Sequence, residues 1–287
     1  MNRQQEFRLR ELGLGELALR SILWTDGEDH PYIVIEDGRP RVNEDEMIKA
    51  ARAGLHLLVQ SESDFDFASI AGALPFFQGI DVRQGGGDIV GWQHIGEATA
   101  LTTFHGFDVQ TNIDLSQLPN LQSVWVIGNC CWSAAQNPNL LELSVDDARL
   151  PTEFRLDCRL KKLVLDGVSG VRDLSFIGDV SDLKHVGLVK LAAVDVSALD
   201  GANSLQSLYI HGVKTVYGIE VLSNLMALRS LTLNGLRRAD GLSRVRELRL
   251  DSFNADPNYL FDDATSNAFV DSHARPEGVG RVRRQPE

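Results

Sequence analysis

The amino-acid sequence predicts a repeat solenoid, and three observations lead to this prediction. One short pattern occurs ten times. It consists of an apolar residue, two variable residues, a second apolar residue, one variable residue and a third apolar residue. Its copies begin 17 to 24 residues apart. The segments between the copies also repeat, since VDVSAL at 194–199 matches FDFASI at 65–70. One such repeat cannot bury its apolar stripe, whereas stacked neighbours bury a continuous one.

The ten apolar triplets define the predicted core. Only Gln60 and Gly106 among the thirty framework positions are not apolar, although at 43% hydrophobic content about thirteen would be apolar by chance. Alternate residues of a strand point to opposite sides, so the apolar members are predicted to face inward. The triplets are Leu55/Leu58/Gln60, Phe77/Ile80/Val82, Leu101/Phe104/Gly106, Leu121/Val124/Val126, Leu140/Leu143/Val145, Leu160/Leu163/Leu165, Leu183/Val186/Leu188, Leu205/Leu208/Ile210, Leu228/Leu231/Leu233 and Val245/Leu248/Leu250.

The chain resembles the leucine-rich repeat family in its short-repeat, internalin-like form. VRDLSFIGDVSDLKHVGL at 171–188 shows the resemblance most clearly, and ten consecutive matches extend it over about residues 55–251. The resemblance implies an α/β-type, right-handed solenoid of about ten repeats. One concave parallel sheet would line the inside, and extended or 3₁₀ connections would cover the convex side.

One departure from the family pattern concerns the turn after each strand. The family usually has Asn or Cys three residues after the last strand leucine, where the side chain satisfies backbone groups of the turn. Asn129 fits this pattern. The other turns must satisfy their backbone amides differently, because the position holds Ala148, Val168, Leu191, Val213, Leu236 and Phe253.

The segments outside the repeats are predicted to be caps, because the terminal repeats of a solenoid need covering. Residues 1–54 form the predicted N-terminal α/β cap, residues 55–251 the solenoid, and residues 252–287 a C-terminal cap and disordered tail. Within the first cap the pattern predicts a helix, a hairpin and a second helix. The segments are a loosely helical Glu6–Leu23, a strand at Tyr32–Ile35 with a turn at Asp37-Gly38 and a return through Val42, and a helix at Glu44–Ala53.

The predicted binding site lies on the concave face, where the variable strand residues point outward. Trp125, Phe107, Ile127 and His105 are predicted to cluster on two adjacent repeats, beside Glu142 and Asp146 on the next. Aromatic anchors beside charges are typical of an interface centre. The alternative is that these aromatic side chains only cover one another on the sheet. The predicted contacts also include Lys162, Asp166 and a second patch of His185, Tyr209 and His211.

Composition narrows the class of partner. The formal net charge of −12 opposes binding to nucleic-acid phosphates and to anionic membranes, so a neutral or basic protein partner fits better. Three cysteines, an odd number, favour reduced thiols and a cytoplasmic location. The sequence has no apolar run of about 18 residues and no apolar region behind the polar start, so neither a membrane helix nor a signal peptide is expected.

Motifs for catalysis, cofactors and metals are not found in the sequence. The glycine run Gly85–Gly87 precedes no Lys-Ser/Thr or helix start, so a repeat turn explains it better than a phosphate site. Cys130 and Cys131 are adjacent and Cys158 lies one repeat later, which favours turn packing over metal ligation. We considered one small polar pocket, formed by His185, His211 and Asp166 on neighbouring repeats.

The sequence therefore predicts a non-enzymatic protein–protein interaction module that uses the concave face. Two alternatives remain. One is a bacterial immunity protein that neutralises a toxin, which the acidity and the lack of catalytic residues would suit. The other is a small-ligand or enzymatic site at the N-terminal cap, in a cleft lined by Trp24, His30 and Tyr32.

Overall fold

The computed structural model describes residues 22–23, 31–36, 38, 40–84, 87–107, 113–129, 132–156, 158–239 and 248–255. The chain divides into two compact units, residues 1–160 and residues 161–287. Each unit is built from short strands, 3₁₀ turns and tight loops, one strand of the main sheet in each repeat.

The first unit contains a main sheet with the spatial order β1-β2-β3-β5-β7-β8-β9. Every neighbouring pair from β2 to β9 is parallel, and β1 pairs antiparallel with β2. Strands β4 and β6 form a separate parallel pair. The strands are β1 (Ile22–Leu23), β2 (Tyr32–Ile35), β3 (His56–Ser61), β4 (Phe65–Asp66), β5 (Gly79–Gln84), β6 (Ile89–Val90), β7 (Thr103–Gly106), β8 (Ser123–Ile127) and β9 (Glu142–Asp146).

The second unit repeats the same plan. Its main sheet has the order β10-β11-β13-β15-β17, and β12, β14 and β16 form a second parallel sheet. The strands are β10 (Lys162–Asp166), β11 (His185–Val189), β12 (Ala193–Asp195), β13 (Ser207–His211), β14 (Thr215–Tyr217), β15 (Ser230–Asn234), β16 (Arg238–Ala239) and β17 (Ser252–Ala255). Parallel strands joined by one connection per repeat confirm the predicted leucine-rich repeat solenoid.

The connections are mostly 3₁₀ turns, as predicted for repeats this short. The first unit has four such turns, at Phe67–Ile70, Leu74–Phe76, Trp92–Glu97 and Trp132–Gln136 among its described residues. The described part of the second unit has two, at Ser197–Leu199 and Ile219–Asn224. Most of their apolar residues, such as Phe67, Ile95 and Leu222, are buried together with the strand leucines.

Helix α1 (Glu44–Arg52) confirms the predicted helix before the first repeat. Asn43 caps it, since its Oδ1 accepts a 2.9 Å hydrogen bond from the Glu46 N–H. Three acidic residues in the first turn lie where the helix dipole favours negative charge. Met47, Ala50 and Ala51 are buried, so this face of the helix packs on the core.

The rest of the predicted cap differs from the sequence pattern. Tyr32–Ile35 is a strand as predicted, but its antiparallel partner is Ile22–Leu23 and not a return strand through Val42. Val42 is buried in a bend that leads into α1. Residues Ile22–Leu23 were assigned to the first helix and are a strand, while residues 6–21 of that helix lie outside the described residues.

The predicted register of the first repeat is wrong by one residue. Leu57 pairs with Ile80 and Val59 with Val82, so the inward residues are Leu57 and Val59 and not Leu58 and Gln60. Three consecutive apolar residues, 57–59, conceal the alternation that fixes register. Gln60 is exposed, which agrees with the corrected register.

The predicted register of the last repeat is also wrong. Leu231 pairs with Phe253 and Leu233 with Ala255, whereas the sequence had placed the triplet at Val245/Leu248/Leu250. Val245 lies outside the described residues. Residues 231 and 253 are 22 positions apart, which is a usual spacing between successive repeats. The predicted last triplet began only 17 residues after the one before it. The sheet therefore includes residues 252–255, which the sequence had assigned to the C-terminal cap.

The turns that follow six strands of the main sheet are closed by backbone geometry and not by an asparagine. Directly after β8, β9, β10, β11, β13 and β15 the next residue adopts a left-handed conformation. In four of these turns its N–H donates to the neighbouring strand, as from Gly128 to the Asp146 carbonyl at 2.8 Å. Glycine reaches this conformation without steric cost. Gly128, Gly167, Gly212 and Gly235 fill this position, with Asp147 and Lys190 as the two exceptions with a side chain.

Aspartate and asparagine side chains satisfy the backbone of the connections. The Asp195 Oδ1 accepts from the Ser197 N–H at 2.8 Å, and aspartates at 66, 114 and 173 bond the residue two positions later in the same way. Asn137 is 1% exposed and donates to the Leu115 and Leu118 carbonyls at 3.1 and 2.8 Å. These contacts satisfy backbone groups of the connecting segments.

Candidate functional site

The candidate site is the outward face of strands β5, β7, β8 and β9 in the first unit. The register sets His105 opposite Trp125, Trp125 opposite Ser144, and Ile127 opposite Asp146. Alternate residues of β8 are buried, so Val124 and Val126 point into the core while Trp125 points outward. We call this surface the tryptophan face, and it comprises Asp81, Arg83, His105, Phe107, Trp125, Ile127, Glu142 and Asp146.

Trp125 lies at the centre of the tryptophan face and is held in one orientation. Its ring contacts His105 and Phe107 edge to face, with centroid distances of 5.6 and 5.0 Å. Its indole Nε1–H donates to the Asp146 Oδ2 at 3.0 Å. The side chain nevertheless stays 37% exposed, so the indole presents a fixed apolar surface to solvent.

Asp81 forms the buried polar end of the tryptophan face. It pairs with His105 on the outward side of the sheet, but it is only 3% exposed. Its Oδ2 accepts from the Arg83 guanidinium at 2.9 Å and lies 4.0 Å from the His105 Nδ1. Its Oδ1 is buried and accepts no hydrogen bond. Asp81, paired with Arg83, therefore lies beside the ring of His105 on the side opposite Trp125.

The open part of the face ends at β3. Leu58 points outward by register, yet it is fully buried in a cluster with Tyr32 and Val34. Four consecutive buried residues in β2 mean that both sides of the sheet are covered there. Surface available for binding is therefore found at β7, β8 and β9, where the predicted aromatic residues lie.

The β9 end of the tryptophan face is acidic. Glu142 is exposed and lies 3.5 Å from the Ser123 hydroxyl, measured from its Oε2. Asp146 is partly exposed at the other end of the same strand, where it accepts from Trp125. The two carboxylates thus flank the indole side of the face, while the only cation among its described residues, Arg83, is paired with Asp81.

The residues predicted in the second unit lie on the outward side of its own sheet. Tyr209 is 41% exposed and stacks on His211, with ring centroids 5.9 Å apart. Asp166 pairs with Lys190, its Oδ1 3.0 Å from the Nζ. Lys162 and His185 are exposed at the starts of their strands.

The small polar pocket considered for His185, His211 and Asp166 is not formed. His185 pairs with Ser207, at the opposite end of β13 from His211. Four residues of strand separate these two rows, about 13 Å at 3.3 Å per residue. Sequence separation alone had placed the two histidines on adjacent repeats and could not reveal that they occupy opposite ends of the strands.

The other predicted sites have little support in the described residues. Trp24 and His30 of the predicted cap cleft lie outside them, and Tyr32 is buried with its ring edge-on to His56 at 5.8 Å. No group of three or more His, Cys, Asp or Glu within the described ranges could hold a metal ion. In the same ranges, no helix has the length and apolarity needed to cross a bilayer. Gly87 packs against the backbone of Ser63, as a repeat turn requires.

The comparisons with known proteins give a fold likeness only. No family model matches the chain, and no curated protein matches its sequence. Among solved structures it is similar to an internalin (InlF) from Listeria monocytogenes strain 4b F2365, at 14% identity and a TM-score of 0.45, over 84% of each chain.

Proposed function

We propose that this chain is a non-enzymatic interaction module that binds a neutral or basic protein through the tryptophan face. The observation that carries the proposal is the state of Trp125, which is 37% exposed although three neighbours hold its ring. An isolated surface tryptophan loses conformational freedom when it is bound, whereas a ring that is already fixed loses little. Fixed, exposed aromatic residues are typical binding hot spots.

The surroundings of Trp125 suit a protein partner. Phe107 and Ile127 extend the apolar centre, and polar or charged residues surround it. An apolar centre with a polar rim is the usual anatomy of a protein interface. The proposal gives the second-unit residues Lys162, Asp166, His185, Tyr209 and His211 the role of further contacts with a partner.

Charge supports the choice of partner. The chain has a net charge of −12, and Glu142 and Asp146 place two carboxylates next to the aromatic centre. Complementary charges steer association and exclude partners of the same sign. A basic partner should therefore associate more slowly as the salt concentration rises, because screening weakens this steering.

The test compares partner binding by the native chain and by Trp125→Ala. Partners captured from the native lysate are identified by mass spectrometry, and the best candidate is purified and titrated by calorimetry. We expect Trp125→Ala to weaken binding by about 30-fold or more, the loss typical of a hot-spot residue. Tyr217→Ala is the matched control, because Tyr217 is 44% exposed but belongs to the small sheet and not to the tryptophan face.

Two results would count against the proposal. Binding by Trp125→Ala with the native affinity would remove the tryptophan face from the interface. Equal losses of affinity in Trp125→Ala and Tyr217→Ala would indicate that binding depends on exposed aromatic residues in general and not on the tryptophan face. Circular dichroism of both variants establishes that each one is folded.

A further inference from the structure

A cavity of about 600 Å³ lies among the connecting segments of three successive repeats in the first unit. It is separate from the tryptophan face, because its walls come from the connections and not from the strands. Its volume falls within the range of about 300–1,000 Å³ typical of ligand sites. The lining residues are Ile113, Asp114, Asn129, Trp132, Ser133, Gln136, Pro151, Glu153, Phe154 and Arg155.

An aromatic pair forms one wall of the cavity. The rings of Trp132 and Phe154 meet edge to face, with centroids 4.7 Å apart, and Pro151 lies beside them. The indole Nε1 of Trp132 is buried and donates no hydrogen bond. Buried donors without an acceptor are rare in native proteins. The Trp132 ring lies at the boundary between the cavity and the core, so its indole N–H resonance reports on what occupies the cavity.

The polar groups of the cavity divide into two sets. Ser133 and the Oδ1 of Asn129 are occupied by backbone groups, since Ser133 bonds the Leu115 N–H and the Ile113 carbonyl and Asn129 accepts from the Arg149 N–H. The side chains of Glu153, Arg155 and Gln136 make no hydrogen bond with the described residues. The second set is available to a ligand.

The cavity carries a net negative charge. Hydrogen bonds from the Ser116 hydroxyl and N–H hold the pKa of Asp114 below its ordinary value, so this carboxylate is ionised at neutral pH. Asp114 and Glu153 contribute two negative charges and Arg155 one positive charge, which leaves one net negative charge on the lining.

We propose that this cavity binds a Lys or Arg side chain presented by an extended peptide segment. The aromatic wall attracts a cation through its ring faces, and the carboxylates of Asp114 and Glu153 neutralise it. An apolar side chain would gain nothing from the two carboxylates, and an acidic one would be repelled by both.

The experiment follows the indole N–H resonance of Trp132 in the ¹⁵N-labelled full chain, assigned by its loss in Trp132→Phe. Three capped tripeptides serve as probes, Gly-Arg-Gly, Gly-norleucine-Gly and Gly-Glu-Gly. We expect the arginine peptide alone to move this resonance in a saturable way. No movement with the arginine peptide, or equal binding of the norleucine peptide, would overturn the assignment to a basic side chain.

A charge variant tests the role of the cavity carboxylates. Glu153→Gln should weaken binding of the arginine peptide by about twofold to fivefold, the effect of one exposed ion pair. Glu220→Gln should leave it unchanged, because this exposed glutamate belongs to the second unit. Unchanged binding by Glu153→Gln would overturn the proposed charge recognition. The readout is independent of the tryptophan face, so either proposal can fail alone.

Discussion

A left-handed backbone conformation at a single position closes the turn after six strands of the main sheet. The residue after the strand has a positive φ at Gly128, Gly167, Gly212 and Gly235, and also at Asp147 and Lys190. The family pattern predicts asparagine three residues after the last strand leucine, and only Asn129 fits this prediction. The glycine two residues after that leucine, as in Leu233-Asn234-Gly235, is the recurrent feature that could have been recognised.

Gly212→Ala should destabilise the chain by about 1–2 kcal/mol, the usual cost of the left-handed conformation for a residue with a Cβ. Gly212 has a φ of 66°, and a Cβ built there would approach no atom closer than 3.7 Å, so the cost comes from the backbone alone. Urea unfolding measures the free-energy difference. Gly96→Ala is the control, because Gly96 has open space and no positive φ, and it should lose no stability.

The aspartate turns predict a pH dependence. Hydrogen bonds from the Ser175 hydroxyl and N–H lower the pKa of Asp173 from its ordinary 3.8. A carboxylate with a depressed folded-state pKa stabilises the protein above its unfolded pKa, and this stabilisation is lost as the pH falls through the lower folded value. Unfolding midpoints in urea should therefore fall below about pH 4. Asp173→Asn should show a shallower fall, and an identical slope would contradict the role of this carboxylate.

Strands and their register decide which residues form the core. Eight of the ten triplets were predicted in the correct register, because each contains a clear alternation of apolar and variable residues. The two errors have different causes. At Leu57–Val59 three consecutive apolar residues give no alternation of apolar and variable residues, and near Leu248 other leucines imitate the pattern. A one-residue slip exchanges the faces of a strand, so pairing partners were needed to correct them.

Leu208→Ala should cost about 2–5 kcal/mol of unfolding free energy, because the change leaves a cavity in the core. Leu208 is 1% exposed, and its neighbour Tyr209 in the same strand is 41% exposed. Tyr209→Ala therefore serves as the control and should cost less than about 1 kcal/mol. Similar losses for the two variants in urea unfolding would contradict the inward and outward assignment in β13.

The whole molecule combines a scaffold that the sequence predicts well with surfaces that it predicts only in part. Repeat spacing and strand alternation sufficed for the fold and for the row of His105, Trp125 and Ser144. The burial of Asp81, the hydrogen bond from Trp125 to Asp146 and the cavity beside Trp132 depend on contacts between repeats. Those contacts join residues about 20 positions apart, and the sequence pattern contains no information on side-chain rotamers.

The proposed function follows from the different roles of the inward and outward residues. The buried leucines and valines hold the scaffold, and the residues between them are available for binding. Substitutions of outward residues should therefore abolish binding of the partner and leave the fold intact. This behaviour is expected of an interface built on a repeat scaffold.

The most direct test compares the free energies of unfolding of Trp125→Ala and Val126→Ala, followed by far-ultraviolet circular dichroism in urea. Val126 is 1% exposed and Trp125 is 37% exposed, so adjacent residues of β8 should behave oppositely. We expect Val126→Ala to lose about 2–4 kcal/mol and Trp125→Ala no more than about 1 kcal/mol. A larger loss for Trp125→Ala would mean that the indole belongs to the core and that no tryptophan face exists.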